Sequence, residues 1–512
     1  MPSEMSKLTR LQHLSCFVVG KHEKKGVKEL GTLSDLHGSL SIKKLENINN
    51  NFEALEARIM DKKYLEELEL EWSIDAEDNI QNSQSEMDIL GNLQPGKYLK
   101  RLDIDGYRGT RFPEWVGDPS YQNLTELSLY GCQNCFMLPP LGQIHSLKNL
   151  TICGMSMLKT IEPEFFKNGD YFSETPFPSL EHLMFDDMSC WEVWNHPRES
   201  YASFSVLKSL VIRGCPRLRG NLPTHLHALE TIEIEVCNQL ASSLPRAPSM
   251  RKLVIHESNK VALQELPLSL KELRIKGREI TESIFEAIAI TLQTSLRTLD
   301  IRNCSSTMSF PGDCLPASLK SLYLENCRNL DFPKQSPEHE SLQYLCIDRS
   351  CDSLTTLPLE ILQNLNHLFI RNCENIKCLS ASKVFQNLVD IEIRECSKFV
   401  SFPREGLSAP NLTSLYVSRC VNLKSLPCRA NTLLPKLEKV TISNCSEMET
   451  FPEGGMPPSL RSLYIRNCEK LMRSSSLTSM DMLMHLSIGG PCDGVESFSK
   501  GGDFSTSHPS RN

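Results

Sequence analysis

Aliphatic residues recur along almost the whole chain in one spacing. The stretch from Leu296 to Pro333 shows it most plainly, because Leu296, Leu299, Ile301 and Cys304 return 23 residues later as Leu319, Leu322, Leu324 and Cys327. The unit is L-x-x-L-x-[IL]-x-x-C, followed by an apolar residue and usually by Phe-Pro or Leu-Pro. Its second Leu and the next aliphatic are two positions apart, so they point to the same face of a short strand. One such strand cannot bury that face alone, and parallel stacking of the units makes a continuous core. The Cys falls just past each strand, one above the next. It is a small apolar filler with a weak S–H donor, which suits a buried corner.

This is the leucine-rich-repeat signature in its Cys variant. With the second Leu as marker, the array runs from Leu68, Leu102, Leu127 and Leu150 to Val440, Leu463 and Leu486, with Leu14 and Leu40 as earlier members. Most intervals are 20 to 27 residues, but 34 separate Leu68 from Leu102 and 33 separate Leu150 from Leu183. The first long interval holds a polar, acidic loop at Asp75–Glu86, then a short helix through Met87, Ile89, Leu90 and Leu93. The second holds a Pro-bounded bulge with aromatic anchors at Glu162–Pro178. A capping-box pattern at Ser283–Glu286 predicts a further helix on the convex side. Elsewhere the connectors are short and Pro-rich, suited to turns and 3₁₀ pieces. The predicted fold is α/β: a curved right-handed superhelix with a parallel sheet on its concave face. The segments read as irregular repeats at 1–72, an acidic insertion with a short helix at 73–98, the main array at 99–490 and a disordered tail at 491–512.

Composition narrows the classes. A chain of 512 residues exceeds one ordinary globular core, and a repeat array removes the need to split it. The formal charge of -8 argues against general nucleic-acid or anionic-membrane binding. No run of 18 apolar residues is present, so no membrane span is expected, and the polar N-terminus lacks a signal-peptide layout. Ten of the twenty cysteines sit at the fixed repeat position, where side chains lie parallel rather than facing, so they read as reduced thiols of a cytoplasmic protein. The sequons at Asn123, Asn149, Asn303, Asn411 and Asn444 arise because Asn precedes the repeat's Leu or Cys, and they read as unmodified.

Five phrases in order resemble the repeat region of plant intracellular disease-resistance proteins, the nucleotide-binding, leucine-rich-repeat receptors of the coiled-coil type. They are KLTRLQHLSCFVVGK at Lys7–Lys21 with the stretch Lys28–Ile48, then Glu53–Ser73, Leu93–Val116 and FPSLEHLMFDDMSCWEVW at Phe177–Trp194. The resemblance implies a non-enzymatic region that senses a pathogen effector, directly or through a guarded host protein, and restrains a nucleotide-binding ATPase module. The coiled coil and that module would lie before residue 1, which makes this chain the C-terminal part of something longer.

No catalytic, cofactor or metal site is expected. Gly91–Tyr98 fits G-x-x-x-x-G-K but ends in Tyr98, and Pro95 lacks an N–H, so it reads as a connector rather than a phosphate loop. Cys132 and Cys135 form a lone C-x-x-C without a second pair. Glu67, Glu69 and Glu71 alternate onto a solvated strand face. The remaining candidate is the concave face. Its central column offers Tyr323, Phe369, Tyr416 and Tyr464, and the next column offers Arg302, Arg371, Arg394 and Arg466. Exposed aromatics with Arg are usual anchors of protein interfaces. The partners expected are therefore proteins. Two other classes share such repeats: an extracellular receptor or inhibitor and a substrate-recognition subunit of a ubiquitin ligase. The first usually keeps strict 24-residue units with Gly-x-Ile-Pro and the second an Ile-Thr-Asp phrase, whereas these units continue with Leu-x-x-Phe/Leu-Pro.

Overall fold

Leu-x-Ile pairs stack in register because each strand hydrogen-bonds to the next. In the computed structural model, which describes residues 4–21, 26–73, 83–166, 175–195, 203–262, 266–277, 287, 295–305, 307–333, 339–452, 454–474 and 482–490, the chain forms two units, Met1–Leu270 and Lys271–Asn512. Among the described residues the first contains ten parallel ladder strands, from Cys16–Val18 and His37–Lys43 to Thr231–Glu235 and Lys252–His256. The second contains ten more, from Glu272–Lys276 and Thr298–Arg302 to Ser462–Arg466 and His485–Gly489.

The marker residues form one column of the core. Leu299, Leu322, Leu345, Leu368, Ile391 and Leu415 are direct cross-strand partners, and all are fully buried. Ile301, Leu324, Ile347, Ile370, Ile393 and Val417 make the second column two residues on. The residues between and beside them alternate outward, as a period of two requires. Behind the sheet the connectors are turns and 3₁₀ pieces such as Glu114–Gly117, Leu141–Gln143 and Leu359–Ile361. The Phe-Pro and Leu-Pro phrases pair as short second ladders, Met308–Ser309 with Leu330–Asp331 and Thr356–Pro358 with Cys378–Ser380.

Two features of the corner were not visible as such in the pattern. Four residues after most markers the backbone turns left-handed: Asn303, Asn326, Asn372, Asn444 and Asn467 have φ between 51° and 58°, Gly106, Gly131, Gly154 and Gly214 hold the same place, and elsewhere residues such as Val236 and Arg349 adopt it. Asn and Gly tolerate this region best. The Asn side chains then form a ladder, with Asn326 donating to Asn303 at 3.1 Å and Asn467 to Asn444 at 2.8 Å. The Cys that follows is buried and donates its S–H to backbone carbonyls, as Cys327 does to Glu325 at 3.3 Å and Ile301 at 3.4 Å. All ten ladder cysteines are buried, and every described cysteine is a free thiol. Where Ser350 and Ser258 replace the Cys, each hydroxyl accepts from the N–H of Cys327 or Cys237 and donates to its own strand's last carbonyl.

Leu14 is not a marker. Phe17 pairs with Ile42, so the marker register falls after Leu14, which is only half-buried. The helix Ser83–Asn92 carries Ile89 and Leu90 into the core and is pinned by two indoles. Trp72 donates to Glu86 at 2.8 Å and Trp115 to the Leu90 carbonyl at 3.0 Å. In the second long interval Phe165, Phe166 and Phe177 join Phe204 of the following connector in a buried aromatic cluster with centroids 5.1–6.0 Å apart. Of the acidic loop expected at Asp75–Glu86, residues 75–82 lie outside the described residues, and Ser83–Glu86 are not loop but the first turn of the helix; the capping box at Ser283–Glu286 and the tail at 491–512 also lie outside the described residues.

Candidate partner-binding face

Each ladder strand of the Lys271–Asn512 unit presents three outward side chains, one before the marker, one after it and one three after it. Register fixes their neighbours. The central column reads Tyr323, Cys346, Phe369, Glu392, Tyr416, Thr441 and Tyr464 across successive strands. Tyr323 and Phe369 therefore stand two strands apart. Tyr344, from the first column, closes the gap: its ring centroid is 4.7 Å from Tyr323 and 5.2 Å from Phe369. His367 stacks at 6.4 Å on Phe369, and its Nδ1 lies 2.9 Å from Asp390. The four rings make one half-buried patch spanning three strands. Burial within it pushes the Tyr344 and Tyr323 phenols up and the Cys346 thiol up to about 11.

The arginines are clipped rather than free. Arg302 is held by both oxygens of Asp300, at 2.8 and 2.9 Å, with Glu325 at 3.1 Å. Arg371 and Arg394 share the nearly buried carboxylate of Glu392. Arg371 Nε donates to Oε1 at 2.5 Å and Arg394 Nη2 to Oε2 at 3.1 Å. Their planes also cover aromatic rings, Arg371 at 5.4 Å from Phe369 and Arg394 at 4.2 Å from Tyr416. The structure thus gathers Tyr323, Phe369, Arg371, Arg394 and Tyr416 in one region, with Arg302 at its edge. It leaves Tyr464 and Arg466 apart, since the strand Lys439–Ser443 lies between Tyr416 and Tyr464. Tyr344, His367, Asp300 and Glu392 complete the region. Their signal was in the sequence, at outward positions of the same units, but their pairing needs the register.

The other chemistry reads as structure. Gly91 and Asn92 end a helix, and a side chain at Gly96 would meet the Met60 carbonyl at 3.3 Å, so Gly91–Tyr98 is a packed connector. Cys135 donates to the Gly109 carbonyl at 3.0 Å, and Cys132 lies in the buried corner. No group of three or more His, Cys, Asp or Glu among the described residues is placed to hold a metal ion. Glu71 pairs with Lys43 on the outward side, and burial with Glu71 and Glu69 nearby raises the carboxyl pKa of Asp105.

Stacked parallel strands with buried Leu-x-Leu pairs, a Cys corner and an outward aromatic and charged face define a leucine-rich-repeat protein. Its repeats match the family models of the R13L1/DRL21 leucine-rich repeats over residues 27–155 and of the leucine-rich repeats of RPS2-like plant disease resistance proteins over residues 113–253. The homologues of this chain are plant disease resistance proteins, as its five phrases led us to expect. An RPP13-like disease resistance protein of Arabidopsis thaliana is 32% identical over 84% of this chain and 31% of its own length. A second from the same plant is 28% identical over 95% of this chain and 36% of its own length. Disease resistance protein RGA2 of Solanum bulbocastanum is 30% identical over 51% and 27%. The chain therefore spans about a third of the length of the first two relatives. Among solved structures, a TLR13–ssRNA13 complex aligns with 90% of this chain and 61% of its own, at a TM-score of 0.47 and 17% identity. No helix among the described residues is long and apolar enough to cross a membrane.

Proposed function

We propose that this chain is the recognition and regulatory repeat region of a plant intracellular immune receptor. In this reading it is non-enzymatic, works in the cytoplasm, and senses a pathogen effector directly or through a host protein. It also restrains a nucleotide-binding ATPase module until the signal arrives. The observation that carries the reading is the continuous patch of Tyr323, Tyr344, Phe369 and His367 on the open sheet face. Core packing leaves these outward positions unspecified, yet four rings fall together there. Homology to disease resistance proteins supplies the biological setting.

A partner activates such a receptor only by binding the released state more tightly than the restrained one. Moving the balance from about 1:99 to about 99:1 needs roughly 10⁴-fold differential affinity. The test is co-expression in plant cells with the nucleotide-binding module of a close relative, reading co-precipitation and suppression of the module's autoactivity. Association and suppression, both reduced by Tyr344→Ala with Phe369→Ala, are the outcome expected. A soluble, folded chain that neither associates nor suppresses would sink the restraining role.

A further inference from the structure

We infer that the strands Ser414–Ser418, Lys439–Ser443 and Ser462–Arg466 form a docking face for an acidic protein segment, one whose Asp or Glu side chains reach Lys439 and Arg466. The inference rests on the recognition role proposed above and names the chemistry of the partner. Its starting point is a break in the charge pattern of the sheet. From Arg274 to Arg394 each arginine on the open face has a carboxylate: Arg274 has Glu272 at 2.5 Å, Arg302 has Asp300, and Arg371 and Arg394 share Glu392. After Glu392 the outward positions of the next three strands are Ser414, Tyr416, Ser418, Lys439, Thr441, Ser443, Ser462, Tyr464 and Arg466, without one Asp or Glu. Lys439 and Arg466 are both exposed, and neither has an ion pair among the described residues. Glu395 and Glu438 stand just outside the strands, and Glu395 is taken by Arg419 at 2.7 Å.

The rest of this face suits a chain lying across it. Tyr464 is 38% exposed with the Lys439 ammonium 5.8 Å from its ring, which pre-places the cation beside an apolar platform. Tyr416 is covered in the same way by Arg394 at 4.2 Å. The Thr441 hydroxyl between them can donate to a carboxylate or to a backbone carbonyl, while Ser443 donates to Ser418 at 2.7 Å. Two unpaired cations, hydroxyl donors and two aromatic platforms complement an acidic, partly apolar segment, and oppositely charged surfaces of this kind set partner choice. Cations with stacking rings also fit single-stranded nucleic acid. Two cations over three strands are few for a phosphate backbone, and the chain as a whole carries -8.

The probe is a library of random short peptides displayed on phage and panned on the full chain, with a labelled oligothymidylate measured in parallel. Selected peptides are expected to be enriched in Asp and Glu and to bind more weakly as salt is raised. They should bind Lys439→Glu with Arg466→Glu about tenfold or more weakly than the parent chain, while Lys439→Arg with Arg466→Lys keeps binding. Both positions are exposed, and a thermal melt checks that the variants fold. Peptides without acidic enrichment, equal binding to the charge-reversed variant, a selection that enriches nothing, or oligothymidylate binding lost in the same variant would each overturn the inference. If acidic peptides behave as expected while the chain fails to associate with any nucleotide-binding module, the restraining role falls and the docking chemistry stands. Peptides that depend on Tyr344 and Phe369 but not on Lys439 or Arg466 leave the recognition role intact and remove this face from it.

Discussion

Lys62 is the most consequential buried charge of the Met1–Leu270 unit. Only 1% of it is exposed. Its ammonium donates to the Leu30 carbonyl at 2.7 Å and the Leu33 carbonyl at 3.1 Å, at the C-terminal end of the 3₁₀ segment Val27–Thr32. Those two bonds favour the charged form, yet burial outweighs them and pulls the amine down from 10.5 to about 8. Below pH 8 both folded and unfolded chains hold the proton, and the burial cost is fully present. Between about 8 and 10.5 the unfolded chain keeps a proton that the folded chain has released, so the contribution of Lys62 to stability rises with pH. From about pH 7.5 to about pH 9.5 the gain is about 2 kcal/mol, with a limiting slope of ~1.4 kcal/mol for each step of one in pH. Within this window the buried thiols of Cys132 and Cys135 and the half-buried thiol of Cys153 oppose it, and at higher pH the buried phenols of Tyr107 and Tyr121 do, because burial raises them all and the unfolded chain loses those protons first. The assay is urea unfolding read by tryptophan fluorescence, since Trp72, Trp115, Trp191 and Trp194 all lie in this unit. Lys62→Met keeps the aliphatic stem and deletes this titration alone, so its stability should fall across the window with those thiols, and the parent chain should lose about 2 kcal/mol less over the same range. Parallel curves for the parent chain and Lys62→Met would refute the reasoning.

Three further outcomes follow from the corner and the core. Asn372, at φ 51° and donating to Asp348 at 2.9 Å, should tolerate Gly within about 1 kcal/mol, whereas Val should cost about 2–3 kcal/mol; hydrogen exchange of the strands His367–Arg371 and Asp390–Arg394 reads the difference. Leu368→Ala should cost about 2–5 kcal/mol by the same measurement, because Leu368 is fully buried, while its neighbour Phe369→Ala should leave exchange nearly unchanged and weaken partner association instead. The ladder thiols should resist alkylation in the folded chain at neutral pH. Burial raises Cys373 to about 11, so thiolate is scarce as well as inaccessible, and rapid native labelling of Cys373 would contradict the buried corner.

The fold was legible because its core repeats a short rule. Leu299 and Ile301, or Leu463 and Ile465, are two apart and apolar, and that spacing alone sets face and stacking. Leu14 misled because an apolar residue one position out of phase looks the same in sequence, and only the pairing of Phe17 with Ile42 corrects it. The left-handed column was written in the Asn-Cys and Gly-Cys dipeptides, such as Asn372-Cys373 and Gly131-Cys132, but reads there as a sequon or as composition. The face was half legible. Tyr323, Phe369, Arg371 and Arg394 are outward by alternation, yet that Glu392 binds both arginines depends on which strands are neighbours.

The alternation of core and open positions along each strand separates what the unit must keep from what it can change. Leu368, Ile370, Asn372 and Cys373 hold their repeat against the next from within the core, while His367, Phe369 and Arg371, interleaved with them, stand on the open face. Copies of such a unit can drift apart at the interleaved places while still docking on their neighbours. New binding specificities can therefore arise residue by residue on a framework whose core is unaltered.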